Sequence, residues 1–292
     1  MTRNLGVNTW VWTSPLDDRK LAELAPKIAG WGFDVIELPV ENVGDWDARA
    51  AAKLLDDVGL AASVTLVMGE GRELVAADRG TVAATRDYLR HVVDVAATVG
   101  SPVIAGPAYA SVGRTWRMDD QERAARYAEL RDGLGPVVEH AVQADVSVAI
   151  EPLNRYETSL INTVDQALEA VEGLPVEGSG LALDVYHMNI EETDIPAAIR
   201  RAAGRIDHVQ VCANDRGAPG ADHLDWPGII GALDTADYGG PLVIESFTAE
   251  NETIATAASI WRPLAESQDA LAVNGLVFLR DVVARGPEGG MS

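Results

Sequence analysis

Three acidic residues each follow directly on a short apolar run and begin a polar segment: Glu151, Asp184 and Glu245. About one βα unit separates the first two and about two units separate the last two, if a unit is taken as roughly 30 residues. Three carboxylates brought to one place repel one another strongly unless a cation lies between them. Because oxygen ligands suit Mg²⁺ or Mn²⁺, the spacing predicts a divalent metal site.

The strand-like run His208–Val211 lies between the last two acids and can supply a fourth ligand. In a strand, His208 and Gln210 point to the same face. Gln210 lies nearer the end of the run, and its amide oxygen can bind a hard cation. Simpler interpretations stay open: each acid taken alone can be a solvated strand end, and His208 taken alone can be a hydrogen-bonded structural histidine.

The elements that must position these residues alternate along the chain, with short β-branched runs followed by longer stretches of helical period. We predict strands at Leu5–Asn8, Val35–Leu38, Ala61–Leu66, Val103–Gly106, Val146–Glu151, Gly180–Asp184, His208–Val211 and Leu242–Glu245. We predict helices at Asp17–Trp31, Ala48–Val58, Thr81–Val99, Asp119–Ala144, Thr163–Val171, Ile195–Ala203, Trp226–Thr235, Ile254–Ala265 and Ala270–Arg285.

Eight strand-helix units favour an α/β fold, a single closed (β/α)8 TIM barrel of parallel strands. We expect residues 1–285 to form this catalytic barrel and the Gly-rich residues 286–292 to be a disordered tail. In such barrels catalytic groups lie at the carboxyl ends of the strands, which is where the three acids are expected.

The composition narrows the possible partners. The 292-residue chain has a formal net charge of -22, which disfavours nucleic acid and anionic membranes as partners. Its one cysteine, Cys212, cannot form an internal disulfide, and no stretch is long and apolar enough to be a signal peptide or a membrane span. We therefore expect a cytoplasmic protein that binds neither nucleic acid nor a membrane.

Several motifs resemble the ketose 3-epimerases, the D-tagatose and D-allulose 3-epimerase family. The most specific is Asp184–Glu192 (DVYHMNIEE), and Glu151–Glu157 (EPLNRYE) also resembles that family. Ile244–Phe247, Ile260–Arg262 and the segment from Gly6 onward are similar as well, so the resemblance covers nearly the whole chain. It implies a xylose-isomerase-like barrel within the wider sugar isomerase and epimerase superfamily.

The resemblance also implies roles for single residues. The metal ligands would be Glu151, Asp184, Gln210 and Glu245, and the metal would be Mn, or alternatively Mg or Co. Glu151 and Glu245 would be the two catalytic acid/base residues. Substrate contacts would fall on Glu157, His187 and Arg216. Family members are commonly dimers or tetramers, so the resemblance implies a homodimer or a homotetramer that binds a small ketose.

Position 210 departs from that family, which has a metal-binding His where this chain has Gln210. Glutamine within His-x-Gln is more similar to the hydroxypyruvate isomerase branch. An aldose–ketose or hydroxypyruvate-type isomerase with the same metal site is therefore the nearest alternative function.

The predicted site residues suit the removal of a proton next to a carbonyl. A metal stabilises the enediolate as charge develops, and a positioned carboxylate takes the proton. Epimerisation needs a proton to leave one face and arrive on the other, which two carboxylates can do. His187, expected on the loop after strand six, can donate to the carbonyl oxygen, and Trp12 and Trp116 are candidate walls for the C–H face of a sugar.

Other classes of protein fit less well. No Gly-x-Gly-x-x-Gly follows a strand, and no Gly-x-Ser-x-Gly is present, so neither a dinucleotide site nor a hydrolase elbow is expected. A DNA-repair barrel similar to endonuclease IV would need many histidine ligands and contacts with phosphates, but the chain has five His and is strongly acidic. A non-catalytic sugar-binding barrel stays open. Without a basic cluster at the strand ends, a free sugar is favoured over a sugar phosphate.

Overall fold

A computed structural model describes residues 3–286 of the chain. The strands are β1 to β8, in order Leu5–Asn8, Val35–Val40, Ala61–Leu66, Val103–Gly106, Ser147–Ile150, Ser179–Asp184, Ile206–Val211 and Leu242–Ile244. The helices are α1 to α10, in order Asp18–Trp31, Ala48–Val58, Arg79–Val99, Asp120–Gln143, Val164–Ala170, Val185–Glu191, Ile195–Arg201, Trp226–Thr235, Glu252–Ala257 and Gln268–Arg285. One 3₁₀ turn, Thr9–Val11, follows β1.

The eight strands form a closed parallel barrel in sequence order, and β8 pairs with β1. The prediction of a single (β/α)8 TIM barrel is confirmed. Buried apolar side chains from the strands and the surrounding helices form one main core, so the eight units pack as one body. The strands consequently all end at the same face of the barrel, where catalytic groups are found in this fold.

Local sequence signals explain where several helices begin and end. Asp17, Asp47 and Asp78 cap the first turns of α1, α2 and α3 by accepting hydrogen bonds from backbone N–H groups. The same three helices end at a glycine in the left-handed conformation, which a side chain would disfavour. These capped helices separate successive strands and give the first βα units definite ends.

Two elements differ from the sequence-based prediction. The segment expected to be a loop after β6 begins at once with α6, because the side chain of Asp184 accepts a hydrogen bond from the Tyr186 N–H and caps the helix. His187 therefore lies on a helix rather than on a loop. The helix predicted at Ile254–Ala265 is short, because α9 ends at Ala257 and Ser259 adopts a positive φ of 59°.

The C-terminal tail and possible membrane-spanning helices are also part of the sequence-based predictions. Residues 287–292 of the predicted tail lie outside the described residues. Within residues 3–286, no helix has both the length and the apolar character that crossing a bilayer requires.

Candidate active site

The four predicted ligand positions lie at the carboxyl ends of consecutive strands. Asp184, the last residue of β6, pairs in register with Gln210 on β7. Glu151 and Glu245 directly follow β5 and β8, and their N–H groups continue the ladder by donating to Gly106 and Val211. All four side chains are buried, so the sequence places four polar groups in the apolar interior at one end of the barrel.

Two of these acids lie beside His187 on α6. One ligand atom each from Glu151, Asp184 and His187 lie within 4.8 Å of one another, a grouping that could hold a metal ion. His187 Nδ1 accepts a hydrogen bond of 3.0 Å from the N–H of Asn154. Burial, and then the charge of Arg216, hold the pKa of His187 well below its usual value. A neutral imidazole that accepts at Nδ1 carries its proton on Nε2, so His187 suits the role of a donor better than that of a metal ligand.

Arg216 lies among the acids, in the left-handed backbone conformation with a φ of 68°. Its Nη1 donates to Asp184 Oδ2 at 2.6 Å and to Glu245 Oε2 at 3.0 Å. The guanidinium also contacts two aromatic rings, with its Cζ 4.1 Å from the centroid of Tyr186 and 4.6 Å from that of Phe247. Burial disfavours its charge, but the attraction of Asp184 and other anions raises the pKa of Arg216 well above its ordinary value.

The contact of Arg216 with His187 competes with a second hydrogen bond to the same ring. Arg216 Nη2 lies 3.0 Å from His187 Nε2, while the Asn154 N–H already donates to the other ring nitrogen. A neutral imidazole has a single acceptor nitrogen, so it cannot accept from both groups. The Asn154 amide is held by the backbone, whereas the guanidinium ends a flexible side chain. Arg216 Nη1 stays bound to Asp184 and Glu245, and Nη2 is therefore the donor that is available to another acceptor in the cavity.

Gln210 connects Glu245 with a deeper acid, Glu37 on β2. Its Nε2 donates to Glu245 Oε1 at 2.8 Å and to Glu37 Oε2 at 2.9 Å. Its Oε1 is buried, and among residues 3–286 no hydrogen-bond partner contacts it. The amide oxygen expected to bind a metal is thus the free atom of this side chain.

Glu37 belongs to a buried polar layer that the sequence analysis missed. Asn8 and Ser63, its register neighbours on β1 and β3, donate to its two carboxylate oxygens at 2.7 and 3.1 Å. His208 Nε2 lies 2.6 Å from Glu37 Oε1. Burial would raise the pKa of Glu37, but the attraction of His208 and the hydrogen bonds lower it below its ordinary value. The signal was present in the sequence, because Glu37 is a charged residue inside an otherwise apolar strand.

The acids at and beyond the strand ends differ from Glu37, because their pKa values are raised rather than lowered. Burial, followed by repulsion from Glu245 and Asp184, raises the pKa of Glu151 well above its ordinary value. Burial raises the pKa of Glu245 to about 8, even though Arg216 opposes the shift. Burial also raises the pKa of Asp184 and Glu157. A concentration of carboxylates that resist ionisation is typical of functional sites, and a divalent cation would relieve the repulsion.

A cavity of about 200 Å³ opens beside these groups. Its polar lining includes Glu151, Glu157, His187, Arg216 and Glu245, and its aromatic lining consists of Trp10 and Phe247. The two predicted walls lie elsewhere. The indole of Trp12 stacks on Trp31 and donates to Asp269, and Trp116 lies under the guanidinium of Arg114. Neither one lines this cavity, because each packs against its own neighbours.

The structure thus brings the predicted polar residues together. The three acids and the orphaned Gln210 oxygen form an oxygen-rich donor set, which fits a hard divalent cation. An aromatic pair and several hydrogen-bonding groups border the adjoining cavity, as expected for a small polar ligand with an apolar face. The arrangement can hold a cation and present carboxylates to a bound molecule.

Comparison with known proteins agrees with this geometry. Residues 26–270 match the family model described as a xylose isomerase-like TIM barrel. A probable ketose 3-epimerase of Synechocystis sp. is 32% identical over 277 residues, which cover 94% of this chain and 95% of that protein. The chain belongs to the ketose 3-epimerase family of xylose isomerase-like TIM barrels.

Two further relatives support this assignment. The ketose 3-epimerase of Arthrobacter globiformis is 31% identical over 279 residues, covering 95% of this chain and 96% of that protein. A solved L-ribulose 3-epimerase structure superposes with a TM-score of 0.89 at 29% identity and covers 98% of this chain and 95% of that one. The family consists of enzymes of the sugar isomerase and epimerase class, so the resemblance stated from the motifs is confirmed.

Proposed function

We propose that this ketose 3-epimerase family member inverts C3 of a free keto-sugar with the help of a divalent metal, through an enediolate. The observation that carries the proposal is the pair Glu151 and Glu245, which both line the cavity from strands three places apart around the barrel. A carboxylate on each side of a sugar can remove a proton from one face and return one to the other. Burial raises the pKa of both carboxyl groups above the ordinary value, which favours the protonated form that returns a proton to the sugar.

The metal would be held by Glu151, Asp184, Gln210 and Glu245, and Mn²⁺, or alternatively Mg²⁺ or Co²⁺, fits these oxygen donors. When bound, the cation supplies positive charge that stabilises the negative charge developing on the substrate oxygens. The protein residues do the rest.

In this proposal three further residues bind the sugar. His187 donates a hydrogen bond from its Nε2–H group to the carbonyl oxygen, because the Asn154 amide fixes the tautomer. Arg216 turns from its contact with His187 toward a substrate hydroxyl. Glu157, which lines the cavity and accepts from Asn154 Nδ2 at 2.7 Å, orients another hydroxyl. Trp10 and Phe247 exclude water from the apolar side of the cavity, and they replace Trp12 and Trp116 as the walls.

Product analysis in D₂O tests the reaction. The protein is incubated with Mn²⁺ and a panel of free ketoses that includes D-fructose and L-ribulose, and NMR identifies the product and the labelled carbon. The proposal predicts a new ketose with deuterium at C3. An aldose product, or label at another carbon, would instead establish an aldose–ketose or hydroxypyruvate-type isomerase, the alternative that Gln210 favours.

Substitution of the two glutamates tests their roles. Glu151→Gln and Glu245→Gln keep the size of the side chain but cannot exchange a proton, so kcat should fall by about 10² to 10⁴ or more. Glu139→Gln, at an exposed position on α4, serves as the matched control and should leave kcat unchanged. Equal activity of either cavity variant and the control would exclude acid/base catalysis by that glutamate.

The assembly and the location stay predictions. We propose a homodimer or a homotetramer in the cytoplasm, with residues 1–285 as the catalytic unit. Light scattering of the purified chain measures the assembly, and a monomeric mass would contradict it.

A further inference from the structure

The buried amide of Gln210 has a donor, Nε2, and an acceptor, Oε1. The neighbouring side chains determine the direction that each atom faces. Two carboxylate oxygens, Glu37 Oε2 and Glu245 Oε1, lie within 2.9 Å of the same amide atom. Glu37 Oε2 also accepts a hydrogen bond of 2.7 Å from Asn8 Nδ2, so this oxygen is an acceptor and the amide atom that faces it must be the nitrogen. Rotating the amide by half a turn would place oxygen against oxygen, which is repulsive. Glu37 therefore holds the amide nitrogen on its own side and leaves the Gln210 oxygen, which has no hydrogen-bond partner among the described residues, as the free acceptor.

Glu37 is the better anchored of the two carboxylates. Its two oxygens receive hydrogen bonds from Asn8 and Ser63 in addition to Gln210, and His208 lies at ion-pair distance. The Glu37 side chain is fully buried, so water cannot replace any of these contacts. Glu245, by contrast, borders the cavity and is proposed to take part in the reaction. Glu37 is consequently the fixed reference against which the amide of Gln210 is oriented.

We propose that Glu37 is a positioning residue, which turns the Gln210 side chain so that its Oε1 is presented as a metal ligand. This inference rests on the metal site of the proposed function. An outer carboxylate orients a metal ligand by accepting a hydrogen bond from it, and the ligand then binds the ion through its remaining acceptor atom. With an N–H for Glu37 and an oxygen for the ion, glutamine provides the same pair of functions that an imidazole would.

The test compares Mn²⁺ affinities measured by isothermal titration calorimetry on the purified chain. In Glu37→Gln the carboxylate becomes an amide, which can present its own NH₂ to Gln210 and no longer enforces one orientation. Outer partners of metal ligands typically contribute about 10- to 100-fold in affinity, and a loss of this size is expected. Ser101→Ala is the matched control, because it removes a buried serine hydrogen bond, to the Val103 carbonyl, that involves neither Glu37 nor Gln210, and its affinity should equal that of the unmodified protein.

A second pair of variants separates orientation from charge. In a Gln210→Leu background no amide remains to be oriented, so adding Glu37→Gln should cause little further loss of Mn²⁺ affinity. If Glu37 acted only through its charge on the ion, the loss would persist in that background and the inference would be overturned. Gln210→His restores a side chain with one donor and one acceptor, and we expect it to bind Mn²⁺ at least as tightly as the unmodified chain while keeping its dependence on Glu37.

Mn²⁺ binding distinguishes an error in the proposed metal site from an error in the positioning role of Glu37. An unmodified chain that binds no Mn²⁺ would overturn the metal site of the proposed function and this inference with it. An unmodified chain that binds Mn²⁺, together with a Glu37→Gln variant that binds it equally well, would overturn the positioning role alone. Circular dichroism shows whether Glu37→Gln folds. If it does not, Asn8→Ser, which removes one anchor of Glu37 Oε2, replaces it and should weaken Mn²⁺ binding, whereas unchanged affinity in this variant would contradict the inference.

Discussion

Glu245 is deeply buried and lies near other acids. The free energy of unfolding therefore depends on whether this carboxyl group is protonated. Its pKa is about 8 in the folded protein, against an ordinary value of 4.5. The cause is first the loss of hydration on burial and then the repulsion of Asp184, which Arg216 only partly offsets. The folded state therefore holds a proton that the unfolded chain releases between those two pH values.

The sign of the resulting pH dependence follows from linkage. Between pH 4.5 and about 8 the folded state binds more protons at this group, so the free energy of unfolding decreases as the pH rises through the window. Glu245→Gln, which is neutral at every pH, should flatten the profile by an amount on the order of a few kcal/mol. Urea unfolding in the presence of a chelator, at several pH values, measures the difference between the variant and the unmodified chain. Parallel profiles would show that Glu245 ionises normally.

Residue types alone did not reveal how the site is built. The acids at the strand ends were predictable, because an acid directly after an apolar strand has a definite position in a barrel. Glu37 was overlooked since it lies within a strand, where its role depends on Asn8, Gln210 and other residues that only the closed barrel brings near. The aromatic walls were misplaced for the same reason, because a Trp near a strand end can turn either toward the cavity or toward a helix.

At the scale of elements, the close approach of β3 and β4 supports the site. Gly106 ends β4 with a φ of 143°, and a Cβ there would collide with the backbone carbonyl of Leu66 on β3. The carbonyl of Gly106 also accepts the N–H of Glu151 at 3.1 Å. A side chain at this position would thus separate two strands and displace a proposed catalytic acid.

Gly106→Ala can be compared with a glycine that also has a positive φ but lies in open surroundings. Gly100 follows α3 with a φ of 75°, and a Cβ added there would meet no atom within 4 Å beyond its chain neighbours and its own helix. Gly100→Ala should therefore lose only the cost of the left-handed conformation, about 1 to 2 kcal/mol. Gly106→Ala should lose about 1 to 3 kcal/mol more through overpacking, and kcat should fall as well. Chemical denaturation and steady-state kinetics measure both, and equal losses for the two variants would contradict this account of the β3–β4 contact.

The elements show where sequence reasoning succeeds. All eight strands were predicted, since each contains a short apolar run that precedes a stretch of helical period, and several helices carry clear caps, such as Asp47 and Gly59 around α2. The short α6 and the early end of α9 were not predicted. The start of α6 depends on the cap from Asp184, whose side chain also belongs to the candidate site, and the positive φ of Ser259 follows the early end of α9.

At the scale of the whole molecule, the charge of the chain and of the cavity lining favours a free sugar over a phosphorylated one. The chain has a formal net charge of -22, and among the described residues that line the cavity there are four glutamates and one arginine. The arginine, Arg216, is already engaged by Asp184 and Glu245. The described lining offers an anionic group no arginine or lysine that is free of carboxylate partners, whereas a neutral sugar meets hydrogen-bonding groups.

This charge distribution predicts a strong preference for unphosphorylated substrate. An anion that leaves water without a cationic partner loses several kcal/mol of hydration, so kcat/KM for D-fructose 6-phosphate should be at least about 100-fold below that for D-fructose. Because salt screens exposed charges, raising the ionic strength should increase kcat/KM for the phosphorylated sugar and leave that for the free sugar nearly constant. Steady-state kinetics at low and high salt measure both ratios. A phosphorylated ketose that reacts as fast as the free one would mean that Arg216 leaves its carboxylates to bind phosphate, and the site would then belong to sugar phosphates.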